Sequence, residues 1–565
     1  MSTILNHTMP TRRGLAVQWS THDISNQVPP LEDYNLFDSD PQLQVAVKRA
    51  GAQWHLQALK QQGAVLGSSM AQQFAEQANR HTPELRTHDR SGVRIDWIEF
   101  HPSWHALMSL TRSHGLVALP FAKPQAGVWT AYAASQYLHN QIEAGSYCPI
   151  SMTFACIPLL QKEPVLFNAL RTRLLSNIYD PRDLPVHLKN SMLVGMGMTE
   201  KQGGSDVRTN TTSATPIGTH GHGRGTEYSL VGHKWFFSAP MCDAHLVLAQ
   251  TEQGQSCFFV PRWRPDGSKN QVEIQRLKDK LGNRSNASSE VEFKDAWAVM
   301  VGDEGRGIQT ILEMATYTRL HNCISSASLM RQACVQAMHY TRHRSAFGKP
   351  LFEQPLMASV LADLALESEA ALLLSMRLAQ AFEDPHNLVE QAWKRIVTPA
   401  AKFWICKRAV ELTGEAMEVF GGNGYVEDSP MARLFREAPV NSIWEGSGNV
   451  MCLDVLRAMS RDPGAVRLLL DDLRARAGTD TPLRQQIEAL RGMLDLPPDT
   501  LESSARRVTQ KLVLIAQGCL MHEYSDTISA EAFIQSRFDP DWGRVFGSLP
   551  AHLDRQALLA RVWQG

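Results

Sequence analysis

The strongest constraint on how this chain can fold is a change of periodicity in its middle. Residues 41–193, and again those after about residue 305, carry apolar side chains at helical spacing. Residues 196–301 instead break into short β-rich runs that Gly, Asn, Asp and Pro separate, namely 227–231, 245–250, 256–260, 272–277 and 289–293. We therefore predict a mainly α-helical protein with a central β-domain, which would be a small barrel or a sandwich.

Two long helices are predicted after the β-domain. Residues 356–381 form an apolar periodic run without Gly or Pro. A second helix is predicted to begin at Thr398, as its N-cap, with Pro399 in the first turn, and to end before Gly421 and Gly422. Antiparallel helices of this length favour a four-helix bundle.

The chain after residue 460 is predicted to form an additional helical domain. Asp462-Pro463-Gly464 interrupts the bundle helices, and two further apolar stripes follow on either side of Pro497-Pro498. At 565 residues the chain is too long for a single core. We divide it into an N-terminal arm, an N-terminal helical domain, the β-domain, the four-helix bundle and the C-terminal helical domain, at residues 1–40, 41–195, 196–301, 302–459 and 460–565.

Composition narrows the compartment and the class of partner. The formal net charge of −1 gives no global reason to expect nucleic acid, so such a site would have to be a local patch. The nine cysteines are scattered and form no CxxC pair, which favours free thiols in a reducing cytoplasm over a zinc site or a disulfide framework. No segment is long and apolar enough to cross a bilayer, and no apolar segment typical of a signal peptide follows Arg12 and Arg13.

His101 and His105 flank Trp104 and stand four residues apart, a spacing that could place two metal ligands on one helical face. No third candidate ligand lies nearby in the sequence, so packing or helix capping is the favoured interpretation. We predict no metal site.

One carboxylate, Glu445, is a candidate catalytic group. In the stretch NSIWEGSGNVMCL, residues 441–453, it lies between the large aromatic Trp444 and a run of small residues that begins with Gly446. Apolar surroundings desolvate a carboxylate, raise its pKa and make it a better general base, while glycines let a backbone approach a flat ligand closely. On this stretch alone the favoured interpretation is a plain helix entry, capped by Ser447 or Asn449, and the rest of the chain reverses that preference.

Several motifs, in a fixed order, resemble those of the acyl-CoA dehydrogenase family. They are MTEKQGGSDV, KWFFS, RSAFG, GGNGY and IWEGSGNVM, which begin at residues 198, 234, 344, 421 and 443. Taken singly, each has a plain interpretation, such as a polar turn, a strand with one aromatic face or the end of a helix. Together the matches cover roughly residues 150–457, and the family's order of helices, β-domain and helical bundle is the order predicted above.

The resemblance implies an FAD cofactor and a mechanism. Glu445 would remove the α-proton of an acyl-CoA thioester while the flavin accepts hydride. Thr199 would hydrogen-bond the isoalloxazine ring, with Ser205 at the phosphate side. Phe236 would stack on the ring, and Ser238 would place its hydroxyl near N5.

Further cofactor contacts are implied at matching positions. Phe237 takes the middle place of the family's aromatic-apolar-hydroxyl triplet, and Arg344 would reach the pyrophosphate of a neighbouring subunit's flavin. The full set implied for the cofactor is Met196, Gly197, Met198, Thr199, Gly204, Ser205, Phe236, Phe237, Ser238, Arg344, Phe347, Ile443, Trp444, Gly446, Ser447, Asn449 and Leu453.

Three departures from the family pattern point to one of its branches. Thr316 replaces the Asp of the family's Asp-x-x-Arg motif for the CoA arm, Trp444 replaces a smaller Tyr and would narrow the acyl pocket, and a helical domain follows residue 460. These features resemble the alkylation-response members of the family. That resemblance implies a homotetrameric FAD protein that binds double-stranded DNA, protects it from alkylating agents, and is a weak dehydrogenase of short branched acyl-CoA such as isovaleryl-CoA.

The residues themselves offer basic side chains for DNA binding in and just before the C-terminal domain. The candidates are Arg457, Arg461, Arg506, Arg507 and Lys511. Each could equally belong to a solvated helix face, since residues 460–565 carry thirteen basic and fourteen acidic side chains. If a tetramer gathers the candidates into one groove, counterion release would make DNA binding salt-dependent and mostly blind to sequence.

Two other functions stay open on the sequence alone. One is a genuine short- or branched-chain acyl-CoA dehydrogenase without a nucleic-acid role. The other is a DNA-coating protein whose flavin is structural. Bleaching of the flavin by acyl-CoA under anaerobic conditions separates these two, whereas salt-sensitive binding of duplex DNA excludes the first.

Overall fold

The computed structural model describes residues 21–218, 221–540, 543 and 545–563. Residues 1–20 of the predicted N-terminal arm lie outside these ranges. The region before the β-domain is mostly helical, and its helices are α1 Pro41–Arg49, α2 Leu56–Leu66, α3 Ser69–Arg80, α4 Pro102–Ser113, α5 Leu119–Ala122, α6 Val128–Ile142, α7 Tyr147–Leu160 and α8 Pro164–Leu174.

A β-hairpin interrupts these helices, and the helical periodicity predicted for residues 41–193 did not include it. Its strands, β1 Glu84–His88 and β2 Arg94–Glu99, pair antiparallel, with Glu84 opposite Glu99. The prediction was wrong here because both strands are short and β1 alternates only between exposed and half-buried side chains. The sequence of β1 therefore lacks the alternation of apolar and polar residues by which a β-strand is predicted.

Among the described residues, seven strands form the β-domain as a closed barrel rather than a sandwich. They are β3 Val194–Gly197, β4 Ser213–Pro216, β5 Glu227–Ser238, β6 Ala244–Thr251, β7 Gly254–Pro261, β8 Val272–Leu277 and β9 Ser288–Val301. Neighbouring strands pair in the order β6-β4-β5-β9-β7, and β7 pairs with β6 to close the barrel. The two remaining strands pair at its side, β3 with β6 and β8 with β9. Tyr228, Phe258 and Phe293 are among the side chains of the buried barrel core. All five predicted β-rich runs lie inside these strands.

The helical bundle follows the barrel. Its helices are α9 Gly307–His343, α10 Pro355–Gln380, α11 Leu388–Ala392, α12 Thr398–Val419, α13 Gly422–Tyr425, α14 Pro430–Ile443 and α15 Gly448–Arg461, and a short hairpin of β10 Ser345–Ala346 and β11 Lys349–Pro350 follows α9. Helix α9 packs against α10, α12 and α14. The predicted fold class, mainly α-helical with a central β-domain and a helical bundle, is confirmed.

Helix α12 does not begin with an N-cap at Thr398, as the sequence predicted. Thr398 has helical backbone angles and is 1% exposed, and the π-helical segment Trp393–Val397 joins α12 to α11. The cap of this continuous helix is Asn387, whose side chain accepts hydrogen bonds from two backbone N–H groups. The prediction was wrong because the wide π-helical turn accommodates Pro399, which has no N–H to donate along the helix.

Further helices after residue 462 pack directly on the bundle. They are α16 Pro463–Arg476, α17 Thr481–Leu494, α18 Pro498–Ser503, α19 Ala505–Tyr524, α20 Thr527–Phe538 and α21 Arg555–Ala560. Helix α19 contacts α10, α12 and α15, and one apolar core runs through the bundle and these helices. In the part of the chain that the structure describes, no helix combines the length and apolar character needed to cross a membrane.

Candidate active site

Glu445 lies in the turn between α14 and α15, where the backbone is strained. Glu445 has a φ of 59° and Gly446 a φ of 104°. Both values are left-handed, and for a residue that carries a Cβ this conformation costs about 1–2 kcal/mol. The φ of Gly446 is one that side chains with a Cβ rarely adopt, so the turn favours glycine there. Backbone strain of this kind clusters at functional sites.

The carboxylate of Glu445 is half-buried beside α9. Burial raises the pKa of Glu445 above its usual value, although the hydrogen bond of Thr318 and the positive charges of Arg319 and Lys402 act in the opposite direction. The net rise makes Glu445 a better proton acceptor than an exposed carboxylate.

Two cations fix the backbone of this turn. Arg319 Nε donates to the Glu445 carbonyl at 3.2 Å, and Lys402 Nζ donates to the Gly446 carbonyl. Arg319 is itself held by Asp454, whose Oδ2 lies 2.7 Å from Arg319 Nη1. The geometry of the turn is therefore set by side chains from α9, α12 and α15.

Charge effects on Cys148 and hydrogen bonds at the end of β5 relate the Glu445 turn to the barrel. Burial raises the pKa of Cys148, the second residue of α7, to about 12, and the charges of both Lys280 and Glu445 act on this thiol. Lys280 Nζ donates to Ser288 Oγ at 3.2 Å, and Ser288 Oγ lies 3.4 Å from Ser238 Oγ. The structure thus brings Ser238 and Glu445 toward the same region between barrel and bundle.

Side chains at the end of β5 alternate between the barrel interior and the outside. Phe237 is 2% exposed and stacks on His245 with ring centroids 3.8 Å apart, so its ring fills the core and presents no face to a cofactor. Phe236 is 54% exposed, and Lys278 Nζ lies 4.7 Å from its ring centroid. Of the predicted triplet, the structure offers the ring of Phe236 and the hydroxyl of Ser238, but only the backbone of Phe237.

The segment after β3 lies beside β5. The Thr199 carbonyl accepts a hydrogen bond from the Trp235 N–H at 2.8 Å. A Cβ at Gly204 would lie 2.5 Å from Thr199 Oγ1, so only glycine permits this close approach. The predicted motif therefore folds back on itself and exposes backbone next to the end of β5.

Four other predicted contacts belong to this side of the site. Met196 and Gly197 are the last residues of β3. Met198 is half-buried and Ser205 is exposed. These residues run from the barrel core to the surface along the same segment.

The other residues predicted around Glu445 surround its turn. Ile443 ends α14 and is 65% exposed, while Trp444 and Leu453 are half-buried. Ser447 precedes α15 but makes no capping hydrogen bond, and Asn449 Oδ1 accepts from an arginine of α19. A helix does begin here, but the side-chain cap of the plain interpretation is wrong.

Arg344 and Phe347 lie far from Glu445 within one chain. Arg319, which contacts Glu445, lies in the first half of α9, a helix of 37 residues. At 1.5 Å per residue this helix is about 55 Å long, and Arg344 follows its end. Arg344 donates to the Asn26 carbonyl, and Phe347 is 97% exposed. The structure does not bring these two residues to the Glu445 site of the same chain.

The predicted DNA-binding residues lie on α15 and α19, which contact each other. Arg457, Arg461, Arg506 and Arg507 are exposed, and none of them pairs with a carboxylate of the described residues. Arg506 Nε donates to an amide oxygen at 2.8 Å. Lys511 is half-buried and donates to a glutamine side chain.

The two histidines considered as metal ligands serve capping and packing. His101 Nδ1 accepts from the Ser103 N–H at 3.2 Å at the start of α4, and His105 Nδ1 lies 2.9 Å from the Tyr179 hydroxyl. Within the described ranges, no group of three or more His, Cys, Asp or Glu side chains is arranged to hold a metal ion. All nine cysteines are buried, free thiols.

The sequence-based prediction missed the charged residues that hold the site together. Lys402 and Asp454 fix the Glu445 turn. Glu200 and Lys234 pair at 2.6 Å with both side chains 0% exposed, between the segment after β3 and β5 itself. Their burial and their pairing arise only from the packed fold, so no local sequence signal marked these four residues.

Three family models match successive parts of the chain. Residues 26–181 match the adaptive response protein AidB N-terminal domain. Residues 195–296 match the acyl-CoA dehydrogenase middle domain, and residues 305–460 match the acyl-CoA dehydrogenase C-terminal domain.

Two relatives are similar over most of the chain. The Escherichia coli (strain K12) protein named putative acyl-CoA dehydrogenase AidB is 46% identical over 531 residues, which cover 93% of this chain and 96% of that protein. Acyl-CoA dehydrogenase family member 11 of Caenorhabditis elegans is 30% identical over 424 residues, 70% of this chain and 65% of that protein.

Solved structures show the same similarity. Caenorhabditis elegans ACDH-11 in complex with C11-CoA has a TM-score of 0.83 at 25% identity and covers 94% of each chain. The apo form of Bd2924 has a TM-score of 0.81 at 29% identity, covering 88% of this chain and 100% of that chain. Butyryl-CoA dehydrogenase from Megasphaera elsdenii, at 21% identity and a TM-score of 0.55 over 74% of this chain and 97% of that chain, shares the fold.

Proposed function

Because this chain belongs to the acyl-CoA dehydrogenase family and is of the AidB type, we propose that Glu445 is the general base that removes the α-proton of an acyl-CoA thioester. The observation that supports this role is the strained turn, which presents a half-buried carboxylate of raised pKa on a backbone held by two cations. A base held in this way needs no reorganisation before the proton moves.

FAD is the cofactor of acyl-CoA dehydrogenases, and the residues of this chain fit it. The exposed ring of Phe236 offers a flat apolar face, and the Ser238 hydroxyl lies on the same strand end. Gly203 has a φ of 138° and donates its N–H to the Glu200 carbonyl at 3.1 Å, and Gly204 has no room for a Cβ, so this tight turn lets the backbone come close to a phosphate. When bound, FAD supplies the two-electron oxidant of this class of reaction.

We infer a short, branched acyl chain such as isovaleryl, with weak turnover. Trp444 is half-buried directly before Glu445, and its Nε1 donates to Asn441 Oδ1 at 3.1 Å, which fixes the indole beside the base. A large ring held there leaves less room for an acyl chain. Thr316 stands where the family has an Asp that binds the CoA arm, and because Thr316 has no carboxylate, we expect a lower affinity for CoA.

The test is the anaerobic addition of isovaleryl-CoA to the yellow protein. We expect the flavin to lose its visible absorbance with the wild type and to keep it with Glu445→Gln, which retains the FAD. Glu415→Gln is a matched control, because Glu415 is another carboxylate of the bundle whose pKa burial raises. Bleaching of the Glu445→Gln protein at the wild-type rate would remove Glu445 from the mechanism, and an unbleached wild type would favour a structural flavin.

A second function, protection of double-stranded DNA in the response to alkylation, is favoured by the arginines of α15 and α19. Their charges lack carboxylate partners among the described residues, and the contact between the two helices joins them into one basic strip. We propose that this strip contacts the phosphate backbone, which would bind DNA without reading its sequence.

The test of DNA binding is a titration of the yellow protein with duplex DNA at low and at high salt. We expect tight binding that weakens steeply with salt and is equal for two duplexes of unrelated sequence. No binding at low salt would leave a short- or branched-chain acyl-CoA dehydrogenase without a nucleic-acid role.

We also propose a homotetramer, in which Arg344 of one protomer approaches the cofactor of another. Arg344 is too distant to reach the site of its own chain, and the large apolar residues Phe347, Leu356 and Tyr425 are 97%, 84% and 79% exposed. Such exposed apolar side chains are typical of surfaces that another subunit covers. Light scattering of the wild type should give four protomers, and Phe347→Asp should lower that number; a monomeric wild type would contradict the proposal.

A further inference from the structure

Lys402 is a buried lysine whose ammonium group contacts the Glu445 turn. It lies on α12, is 1% exposed, and donates from Nζ to the Gly446 carbonyl. No carboxylate of the described residues lies within ion-pair distance of this ammonium group. A buried charge without a counter-ion is costly, so a lysine at this place calls for an explanation.

The other cation of the turn differs from Lys402 in this respect. Arg319 is balanced by Asp454 at 2.7 Å, and Asp454 also pairs with Arg395 at 2.8 Å. Arg319 therefore has an ion-pair partner, which it shares with Arg395. Of the two cations that contact the turn, Lys402 is the one without an ion-pair partner among the described residues.

The groups that face this pair come from three helices. Arg319 and Cys323 face Lys402 from α9, and Cys406 faces it along α12. Cys148 faces Glu445 from α7. Since the thiols are buried and their pKa values are raised, they carry no charge near neutral pH, and Glu445 is the anion that can balance Lys402.

We propose that Lys402 is a positioning residue for proton abstraction: its ammonium group holds the left-handed turn through the Gly446 carbonyl and, as a cation of that turn without an ion-pair partner, favours the ionised form of the nearby Glu445 carboxylate. This inference rests on the proposed role of Glu445 as the base. It assigns two effects to one side chain, a geometric effect on the backbone and an electrostatic effect on the carboxylate.

The electrostatic effect has a consequence during turnover. When Glu445 accepts the α-proton, the negative charge near Lys402 disappears while the ammonium group stays in a low-dielectric region. The protonated acid is therefore less favourable with Lys402 present than without it. Lys402 would favour the return of Glu445 to its ionised form after each reaction.

The test compares Lys402→Met, Lys402→Arg and Lys189→Met as FAD-loaded proteins without any acyl-CoA. Lys189 is also buried and pairs with Asp243 at 2.6 Å, so its loss measures the general effect of removing a buried lysine. The readout is the absorption spectrum of the bound flavin as a function of pH, together with the midpoint of thermal unfolding. A pH-dependent change that Glu445→Gln abolishes belongs to Glu445.

We expect Lys402→Met to move the Glu445-dependent spectral change to higher pH by about one unit. At a given pH below the transition, the ionised fraction of Glu445 would then be about tenfold smaller than in the wild type. Lys402→Arg should bring the pH of the spectral change most of the way back to the wild-type value. Lys189→Met should lower the midpoint of thermal unfolding but leave the pH of the spectral change where it is in the wild type. A Lys402→Met protein that titrates like the wild type would overturn the proposal and leave a structural role. The proposal would also be overturned if the wild-type flavin spectrum shows no pH-dependent change, or only a change that persists in Glu445→Gln.

Because these titrations need no substrate, they separate this inference from the proposed dehydrogenase activity. If isovaleryl-CoA fails to bleach the wild type while Lys402→Met still shifts the titration of Glu445, the electrostatic pair stands and the proposed substrate falls. If bleaching occurs and the titration does not shift, the reaction stands and the role of Lys402 falls.

Discussion

Lys234 Nζ lies 2.6 Å from Glu200 Oε1, and both side chains are completely buried. The pair joins the segment after β3 to the middle of β5, and thus connects the two stretches of the β-domain that offer the Thr199 backbone and the Ser238 hydroxyl. Thr212 Oγ1 also donates to Glu200 Oε1, at 2.6 Å. A buried, hydrogen-bonded ion pair of this kind fixes geometry more than it adds net stability.

Removing one partner of this pair should be strongly destabilising, because the other charge is then buried alone. We expect Glu200→Ala to lower the free energy of unfolding by about 3–5 kcal/mol, measured by urea denaturation. Asp206→Ala is the control, since Asp206 pairs with Arg208 at the surface, where solvent screens the pair, and its loss should lower stability much less. Equal losses from the two variants would show that the buried pair has no special role.

The same pair predicts how stability depends on pH. Burial alone would raise the pKa of Glu200, but the charge and hydrogen bond of Lys234 and the bonds from Thr211 and Thr212 outweigh it and lower the pKa to about 2. A lowered pKa in the folded state gives stability that is complete above the ordinary carboxyl range and is lost as the pH falls toward 2. Urea denaturation over that range should show this loss in the wild type, and Glu200→Gln should lack that contribution.

Phe236 and Phe237 are adjacent residues for which the structure predicts opposite effects. Phe237→Ala removes a ring from the barrel core and should lower the free energy of unfolding by about 3–5 kcal/mol. Phe236→Ala removes an exposed ring, so it should weaken FAD binding while stability changes little. FAD release on dilution and urea denaturation, measured on both variants, distinguish the two roles. A Phe236→Ala protein that keeps FAD as tightly as the wild type would contradict the stacking role.

The raised pKa of Glu445 predicts opposite effects on rate and on stability. Only the ionised base accepts a proton, so the rate of flavin bleaching should rise with pH through the raised pKa and then level off. A carboxylate whose pKa is raised by folding stabilises the fold below its unfolded pKa, and that stability is lost as the pH rises through the folded pKa. Glu445→Gln should therefore unfold at equal or higher urea concentration than the wild type at neutral pH, although it is inactive. A less stable Glu445→Gln would contradict the desolvation argument.

The sequence predicted those elements whose cause is local. Helix α10 was predicted within one residue at each end, because no Gly or Pro interrupts residues 356–381 and Pro355 starts the helix. The hairpin of β1 and β2 was missed since its side chains alternate without a clear apolar face. The Thr398 cap was wrong because a π-helical turn can pass a proline.

The residues of the candidate site also fall into two groups, those that the sequence indicated and those that only the structure revealed. Glu445 could be proposed from the sequence, because Trp444 and Gly446 flank it and the ordered motifs elsewhere in the chain support the assignment. Lys402 and Asp454 could not, because each acts on the turn through a contact that only the packed bundle creates. Residues that carry out chemistry are often marked by local motifs, whereas those that hold them in place are distributed through the fold.

The arginines of α15 and α19 give the sharpest test of the proposed DNA contact. Each phosphate contact releases about one counterion, so Arg457→Ala and Arg507→Ala should each weaken duplex binding and lower the slope of log affinity against log salt by about one. Arg474→Ala is the matched control, because Arg474 is an exposed arginine of the neighbouring α16 whose charge is paired with Glu488 at 3.0 Å. Its loss should change the slope much less. If all three variants lower the slope equally, the overall positive potential of this face rather than the strip on α15 and α19 attracts DNA. If none of them lowers the slope, the duplex binds to another surface.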